Sequence, residues 1–199
     1  MRNLKLPHRL VALDHADPQK ERIVPQERMQ NIVTFSAIVE AIMLGKLDLK
    51  DSNLILKDET PTSHAMIDQM IQILSRSPVY KNLIEWVNDL GVQVPLYKHV
   101  RENLVENNIL HLQKKKLMAI TLSSKFTLKD PRIVTNYIQY LDELNMEEQI
   151  EIRDLLCMIF LRNTDLNEIS FLSKDPVKLL SKFNADKRID IITDTAYKL

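Results

Sequence analysis

The chain has 199 residues, with 27 basic residues against 27 acidic ones and 45% hydrophobic content. That length suits one well-filled core, and the balance excludes a disordered or fibrous chain. Gly45 and Gly91 are the only glycines, which excludes a glycine-rich phosphate loop and favours helices over many tight-turned strands.

Residues 1–25, punctuated by Pro7, Pro18 and Pro25, predict an arm or short helix around Leu10-Val11-Ala12-Leu13 that packs on the rest of the chain. The basic start is not followed by an apolar stretch, because Asp14, His15 and Asp17 arrive too soon for a signal peptide. From Arg28, apolar residues recur at helical spacing through Met29, Ile32, Val33, Ala37, Ile38, Ala41 and Ile42, and Gly45 suits the left-handed position that ends such a helix. Leu47-Asp48-Leu49 and Leu54-Ile55-Leu56, separated by polar turn residues, predict a β-hairpin. Thr60-Pro61-Thr62-Ser63 then offers hydroxyl caps to a helix carrying Met66, Ile67, Met70, Ile71 and Leu74 and ending near Ser77-Pro78. Another helix is expected from Tyr80 to Leu90, stopped by Gly91, and a further one after Pro95 with Val100, Leu104 and Val105. Ile109-Leu110 and Leu117–Leu122 around Lys114-Lys115-Lys116 predict a second hairpin with a lysine-rich tip.

The last third reads as helical. Ile133, Val134, Tyr137, Ile138, Leu141 and Leu144 mark one face, and Ile150–Leu161 is apolar nearly all round, as a central buried helix would be. Shorter helices are expected from Val177–Phe183 to the end. The fold class is therefore mainly α: a compact multi-helix single domain over residues 26–199 with two small hairpins, the second following a helix in a winged-helix-like arrangement. No run approaches the ~18 apolar residues of a membrane span, so a membrane would be met from its surface.

Chemistry-bearing motifs are scarce. His8, His15, His64, His99 and His111 share no ligand spacing with one another or with Cys157, so neither a metal nor a catalytic residue is expected. Cys157 sits in the run Leu155–Phe160 and reads as a buried small hydrophobe; as the sole cysteine it suits a reducing, cytoplasmic compartment. Charge is the informative feature. Residues 94–132 hold eight Lys or Arg and three acids, a net +5, and the rest of the chain carries −5. A winged-helix protein would use such a helix and hairpin on DNA, but Glu102 and Glu106 would face the phosphates, and nucleic acid is not the expected partner. On a membrane, Lys114, Lys115 and Lys116 would meet anionic headgroups while Leu112, Leu117, Met118 and Ile120 enter the interface or contact a second copy.

Several segments carry a resemblance. Phe35–Leu49, with its helix, Gly45-Lys46-Leu47 step and strand, resembles the Golgi phosphoprotein 3 family. Asp58-Glu59-Thr60-Pro61-Thr62 is similar to that family's D-x-T-P-T step, Ile84–Val87 to its single-tryptophan helix, and Val100–Leu110 to its run into the hairpin. Leu10–Asp14 is a fainter echo of its leucine-rich opening. The resemblance spans roughly residues 10–190 and implies a helical, non-catalytic, peripheral membrane adaptor without cofactors. In eukaryotic members it implies binding of phosphatidylinositol 4-phosphate and of the cytosolic tails of membrane proteins. The family's headgroup residues fall at Pro25, Thr34, Val94 and Tyr97 here, and its glycine before the hairpin at Asn108, which can also take the left-handed conformation. Arg22, Arg28, Lys98 and Arg101 lie nearby in sequence. The expected lipid-binding set is Arg28, Lys98, Arg101, Lys114, Lys115 and Lys116, with self-association through the second hairpin as a further expectation.

Overall fold

The computed structural model describes residues 1–17, 22–77, 81–117, 120–144, 150–164, 176 and 187–199. In chain order they form α1 (Leu6–Asp14), α2 (Gln26–Met43), β1 (Leu47–Lys50), β2 (Asn53–Leu56), α3 (Ala65–Arg76) and α4 (Leu83–Gln93). Then follow α5 (Leu96–Glu106), β3 (Leu110–Leu117), β4 (Ile120–Leu128), α6 (Arg132–Glu143), α7 (Ile152–Arg162) and α8 (Lys187–Lys198). Eight helices and two antiparallel two-stranded hairpins among the described residues make the fold mainly helical, as expected. The expected helix at Val177–Phe183 lies outside the described residues. By contacts the chain divides into two compact units, residues 1–25 with 100–174 and residues 26–99 with 175–199.

The second unit is built around α2, which is buried on every side from Ile32 to Ile42 and is touched by α3, α4, β1 and α8. Its end is set by Gly45 at φ +72°: the Lys46 N–H reaches back to Ala41 and the Gly45 N–H to Ile42, both at 2.9 Å. That pair of bonds satisfies carbonyls a helix end leaves open, and it needs the left-handed residue. The chain leaves directly into β1. Leu47 pairs with Leu56 and Lys50 with Asn53, so the turn is Asp51-Ser52, with φ of 49° and 67°. Two positive φ values match the right-handed twist of the strands. Leu47, Leu49 and Leu54 are buried, so the hairpin's inner face belongs to the core.

Two starts differ from expectation. The N-cap of α3 is His64, which makes no side-chain cap. The Asp68 carboxylate accepts the Thr62 N–H at 2.6 Å and its hydroxyl at 2.7 Å, while Thr62 Oγ1 accepts the His64 N–H. A carboxylate suits the positive end of a helix dipole, and here it anchors Thr62 just ahead of the helix. Helix α4 begins after Asn82, where Asn82 and Glu85 cap each other's backbone N–H groups at 3.0 and 2.9 Å; the expected start, Tyr80, lies outside the described residues. It also runs through Gly91. A side-chain carbon there would stand 2.8 Å from Asn31 Oδ1, so this glycine permits close packing on α2 and does not stop the helix.

In the first unit α1 packs on α7, which is buried from Asp154 to Leu161, with Cys157 inside it as expected. Arg9, 2% exposed, donates to Asp154 at 2.5 Å and to the Tyr137 hydroxyl at 3.0 Å, and it also holds the carbonyls of Leu4 and Arg2. Tyr137 and Tyr140 donate to the same carboxylate at 2.6 and 3.0 Å. Burial, with Asp154 adding to it, raises the Tyr137 phenol far above its ordinary range and pushes Tyr140 up to about 12, so both remain donors. A buried carboxylate with an arginine and two phenols has its desolvation offset. Asp14 Oδ1 accepts the N–H groups of Ile23 and Val24, which fastens the returning chain.

Candidate hairpin surface and its neighbours

Helix α5 leads into the second hairpin by the same kind of step. Asn108, at φ 59°, takes the left-handed position; the Ile109 N–H reaches Leu104 at 2.8 Å and the Asn108 N–H reaches Val105 at 3.0 Å. Leu96, Tyr97, Val100 and Leu104 are buried, whereas Lys98, Glu102 and Glu106 are exposed and Arg101 is half-buried. Lys98 and Arg101 stand three residues apart and share a helix face.

The hairpin is longer than the sequence suggested. Register runs from Leu110 opposite Leu128 to Leu117 opposite Ile120, with an irregularity between Lys115 and Lys116. Lys114, Lys115 and Lys116 are therefore strand residues, opposite Ser124, Ser123 and Thr121, and not the tip. No glycine, asparagine or proline accompanies the lysines to make a turn. Of the expected interface residues, Leu112 is half-buried, Leu117 and Ile120 form the last described rung, and Met118 lies outside the described residues.

The basic residues of this region are not equivalent. Lys129 donates to Asn108 Oδ1 at 2.9 Å, and Arg132 forks onto Asp130 with two 2.9 Å bonds, which holds that carboxyl below its usual range. The Arg101 guanidinium lies 4.4 Å over the Phe126 ring, and His15 meets the same ring with centroids 6.1 Å apart. Lys98 and Lys114 are exposed. Arg28 is an exposed residue of α2, in the other unit, and donates through Nε to the Leu199 carbonyl at 2.6 Å.

Three of the positions matched to headgroup residues lie in the interior of the second unit. Thr34, Val94 and Tyr97 are buried, and Gln30 ties them together. Its side chain donates to the Val94 carbonyl at 2.7 Å and accepts the Tyr97 N–H at 3.0 Å, while Thr34 donates to the Gln30 carbonyl at 2.8 Å. Pro25 is exposed. Gln30 and Phe126 escape a reading by periodicity, since neither the bonds of one nor the stacking of the other follows from local spacing.

The steps that carried the resemblance also have a physical basis here. Lys46 donates at 2.6 Å to both Asp58 and Thr60, and Asp58 accepts the Thr60 N–H at 2.8 Å. Lys46 and Thr60 hold the Asp58 carboxyl down at about 2. The Gly-Lys-Leu step and the D-x-T-P-T step are thus two halves of one polar clasp. Trp86 is buried with the Lys81 ammonium 5.3 Å from its ring.

Among the described residues no group of three His, Cys, Asp or Glu converges to hold a metal, and no helix is long and apolar enough to cross a membrane. The family model described as Golgi phosphoprotein 3 (GPP34) matches residues 6–195, from the first turn of α1 into the last helix. Its members are non-catalytic adaptors. The fold, the Lys46–Asp58–Thr60 clasp and this match over nearly the whole length agree: the chain belongs to the Golgi phosphoprotein 3 family.

Proposed function

We propose that this protein is a peripheral adaptor that docks on anionic membrane surfaces, phosphoinositides among them, through α5 and the β3–β4 hairpin. The observation that carries the reading is the placement of Lys114, Lys115 and Lys116 on consecutive positions of β3, just before the apolar rung Leu117–Ile120. Each lysine near an anionic surface contributes about 1 kcal/mol, and an apolar end beyond the charges can enter the interface. Arg101, in the same unit as the hairpin, adds to the positive charge there, and Arg28 and Lys98 in the other unit are further basic candidates. Cytosolic tails of membrane proteins are the cargo this role requires, with the cytosolic face as its place of work. A second copy could use the hairpin's apolar end for self-association.

One observation favours a second reading, a protein–protein interaction module on the same fold without a lipid headgroup site. Thr34, Val94 and Tyr97, at the matched headgroup positions, are buried, and Gln30 spans the backbone beside them. A winged-helix role on nucleic acid is disfavoured by the exposed Glu102 and Glu106 on α5.

Co-sedimentation with phosphatidylcholine vesicles, with and without phosphatidylserine or phosphatidylinositol 4-phosphate, tests the choice. The adaptor reading expects pelleting with the anionic vesicles at low salt, fading as salt rises. Changing Lys114, Lys115 and Lys116 together to glutamate should abolish it. Absence of pelleting at low salt would leave the protein–protein module.

A further inference from the structure

We propose that the cleft between the first turn of the chain and α6 is a recognition site for the C-terminal carboxylate of a peptide. The proposal goes beyond the membrane reading and uses none of the hairpin's residues. Every residue in it belongs to the unit that holds residues 1–25 and 100–174. Ile133, Asn136, Tyr137 and Tyr140 follow one another at steps of three, one and three, which sets them on one face of α6. With Met1, Arg2 and Asn3 they line a cleft of about 340 Å³. Ligand sites run from about 300 to 1,000 Å³, so the ligand is small or is the end of a chain.

The walls are held from behind. Arg9 donates to the Arg2 carbonyl, and the Leu4 N–H donates to the Met1 carbonyl at 2.8 Å, so the backbone of the turn is fixed. The Tyr140 hydroxyl donates to Asp154 at 3.0 Å, and its ring stacks on Tyr137 with centroids 6.0 Å apart. Over the Tyr140 ring, at 4.4 Å, lies the Arg2 guanidinium. Arg2 is exposed, and its guanidinium makes no hydrogen bond or ion pair among the described residues. A planar cation laid on a ring keeps its donor edge clear and has little freedom left to lose on binding. The side chains of Asn3 and Asn136 are exposed too and make no hydrogen bond among the described residues.

These groups select the ligand. The lining has one cationic side chain and no carboxylate, so a single negative charge balances it. A carboxylate meets a guanidinium fork with two parallel N–H···O bonds, whereas a phosphate monoester, with close to two charges, calls for a second cation. Asp154, behind Tyr140, is already matched by Arg9 at 2.5 Å, and Glu151 stands 3.8 Å from both Arg9 and Arg153. Each asparagine amide holds a donor and an acceptor in one plane, the complement of a peptide's C=O and N–H. Half-buried Ile133 adds apolar surface for a side chain. A carboxylate, a backbone amide and an apolar side chain together describe the end of a polypeptide.

The test titrates the full chain with N-acetyl-alanyl-leucine, with its C-terminal amide and with propionate, following the amide resonances of residues 3, 133 and 136. Saturable shifts are expected with the free acid, and binding about tenfold weaker for the amide and for propionate. Arg2→Lys keeps the charge and loses the fork; it should weaken the free acid about tenfold and leave the amide unchanged. Asn136→Ala should weaken the free acid and leave propionate unchanged, with thermal melts verifying that each variant folds. Equal binding of acid and amide overturns the proposal, as does the absence of saturable shifts with all three probes. Equal binding of propionate and the peptide acid overturns the peptide as ligand. Full affinity for the acid in Arg2→Lys places the carboxylate elsewhere and overturns the site. Vesicle co-sedimentation is read separately, so the membrane reading stands or falls on its own result.

Discussion

At the end of α2 and again at the end of α5 the backbone makes the same turn. A left-handed residue, Gly45 in one and Asn108 in the other, closes the helix with two backward hydrogen bonds. A hairpin follows, and the first N–H beyond its second strand returns to the carbonyl just after the left-handed residue: Lys57 to Lys46 and Lys129 to Ile109, both at 2.9 Å. The outcomes differ. The first hairpin has four-residue strands, a two-residue turn and buried leucines; the second has strands of eight and nine residues and a run of lysines. One device thus serves two purposes, fixing a corner of the core in the first case and projecting a charged surface in the second. What separates them is the residues beyond the step.

The sharpest separation should come from truncating each hairpin's apolar base. Leu47→Ala removes a fully buried side chain and should cost about 2–5 kcal/mol in chemical denaturation, whereas Leu112→Ala, half-buried, should cost about 1 kcal/mol or less. Similar losses at the two sites would erase the distinction between a core hairpin and a projecting one. A smaller difference should mark the two left-handed residues. Nothing lies within 4 Å of a carbon added at Gly45, so Gly45→Ala should lower stability by the backbone strain alone, about 1–2 kcal/mol. Asn108→Gly relieves such strain but loses the bond from Lys129, and should move the unfolding midpoint little, by ~0.5 kcal/mol or less.

The finest difference is in acid response. Asp58 is held at about 2 when folded, below the ordinary carboxylate value, so the stability it adds is present above pH ~4 and is lost as pH falls through about 2. The wild-type chain should exceed Asp58→Asn in thermal stability at pH 6, with the gap closing between pH 4 and 2. A gap that persists at pH 2 would mean that the Lys46–Asp58–Thr60 clasp is not what separates them.

How far these features could be read in advance depended on whether their cause was local. The helix end at Gly45, the first hairpin and the buried run of α7 follow from spacing and residue type, and the structure agrees with each. Gly91 was misleading, because a glycine that stops a helix and one that admits a neighbouring helix look alike until Asn31 is seen beside it. The lysine triplet was misplaced because a polar run in sequence resembles a turn, and only pairing with Ser124, Ser123 and Thr121 shows it to be strand. The candidate surface was legible as charge and not as geometry. Arg101 stands on Phe126, 25 residues later in the chain, and no periodicity announces that contact.

Arg9 and Asp154, 145 residues apart, impose an order on biosynthesis. Helix α1, with Leu10, Val11 and Leu13 on it, is synthesised well before its partner α7. At about 5–20 residues per second the 145 residues between them take roughly 7–30 s, whereas α2, α3 and α4 follow one another closely in sequence. The contact between α1 and α7, with the Arg9–Asp154 pair inside it, therefore cannot close until that interval has passed.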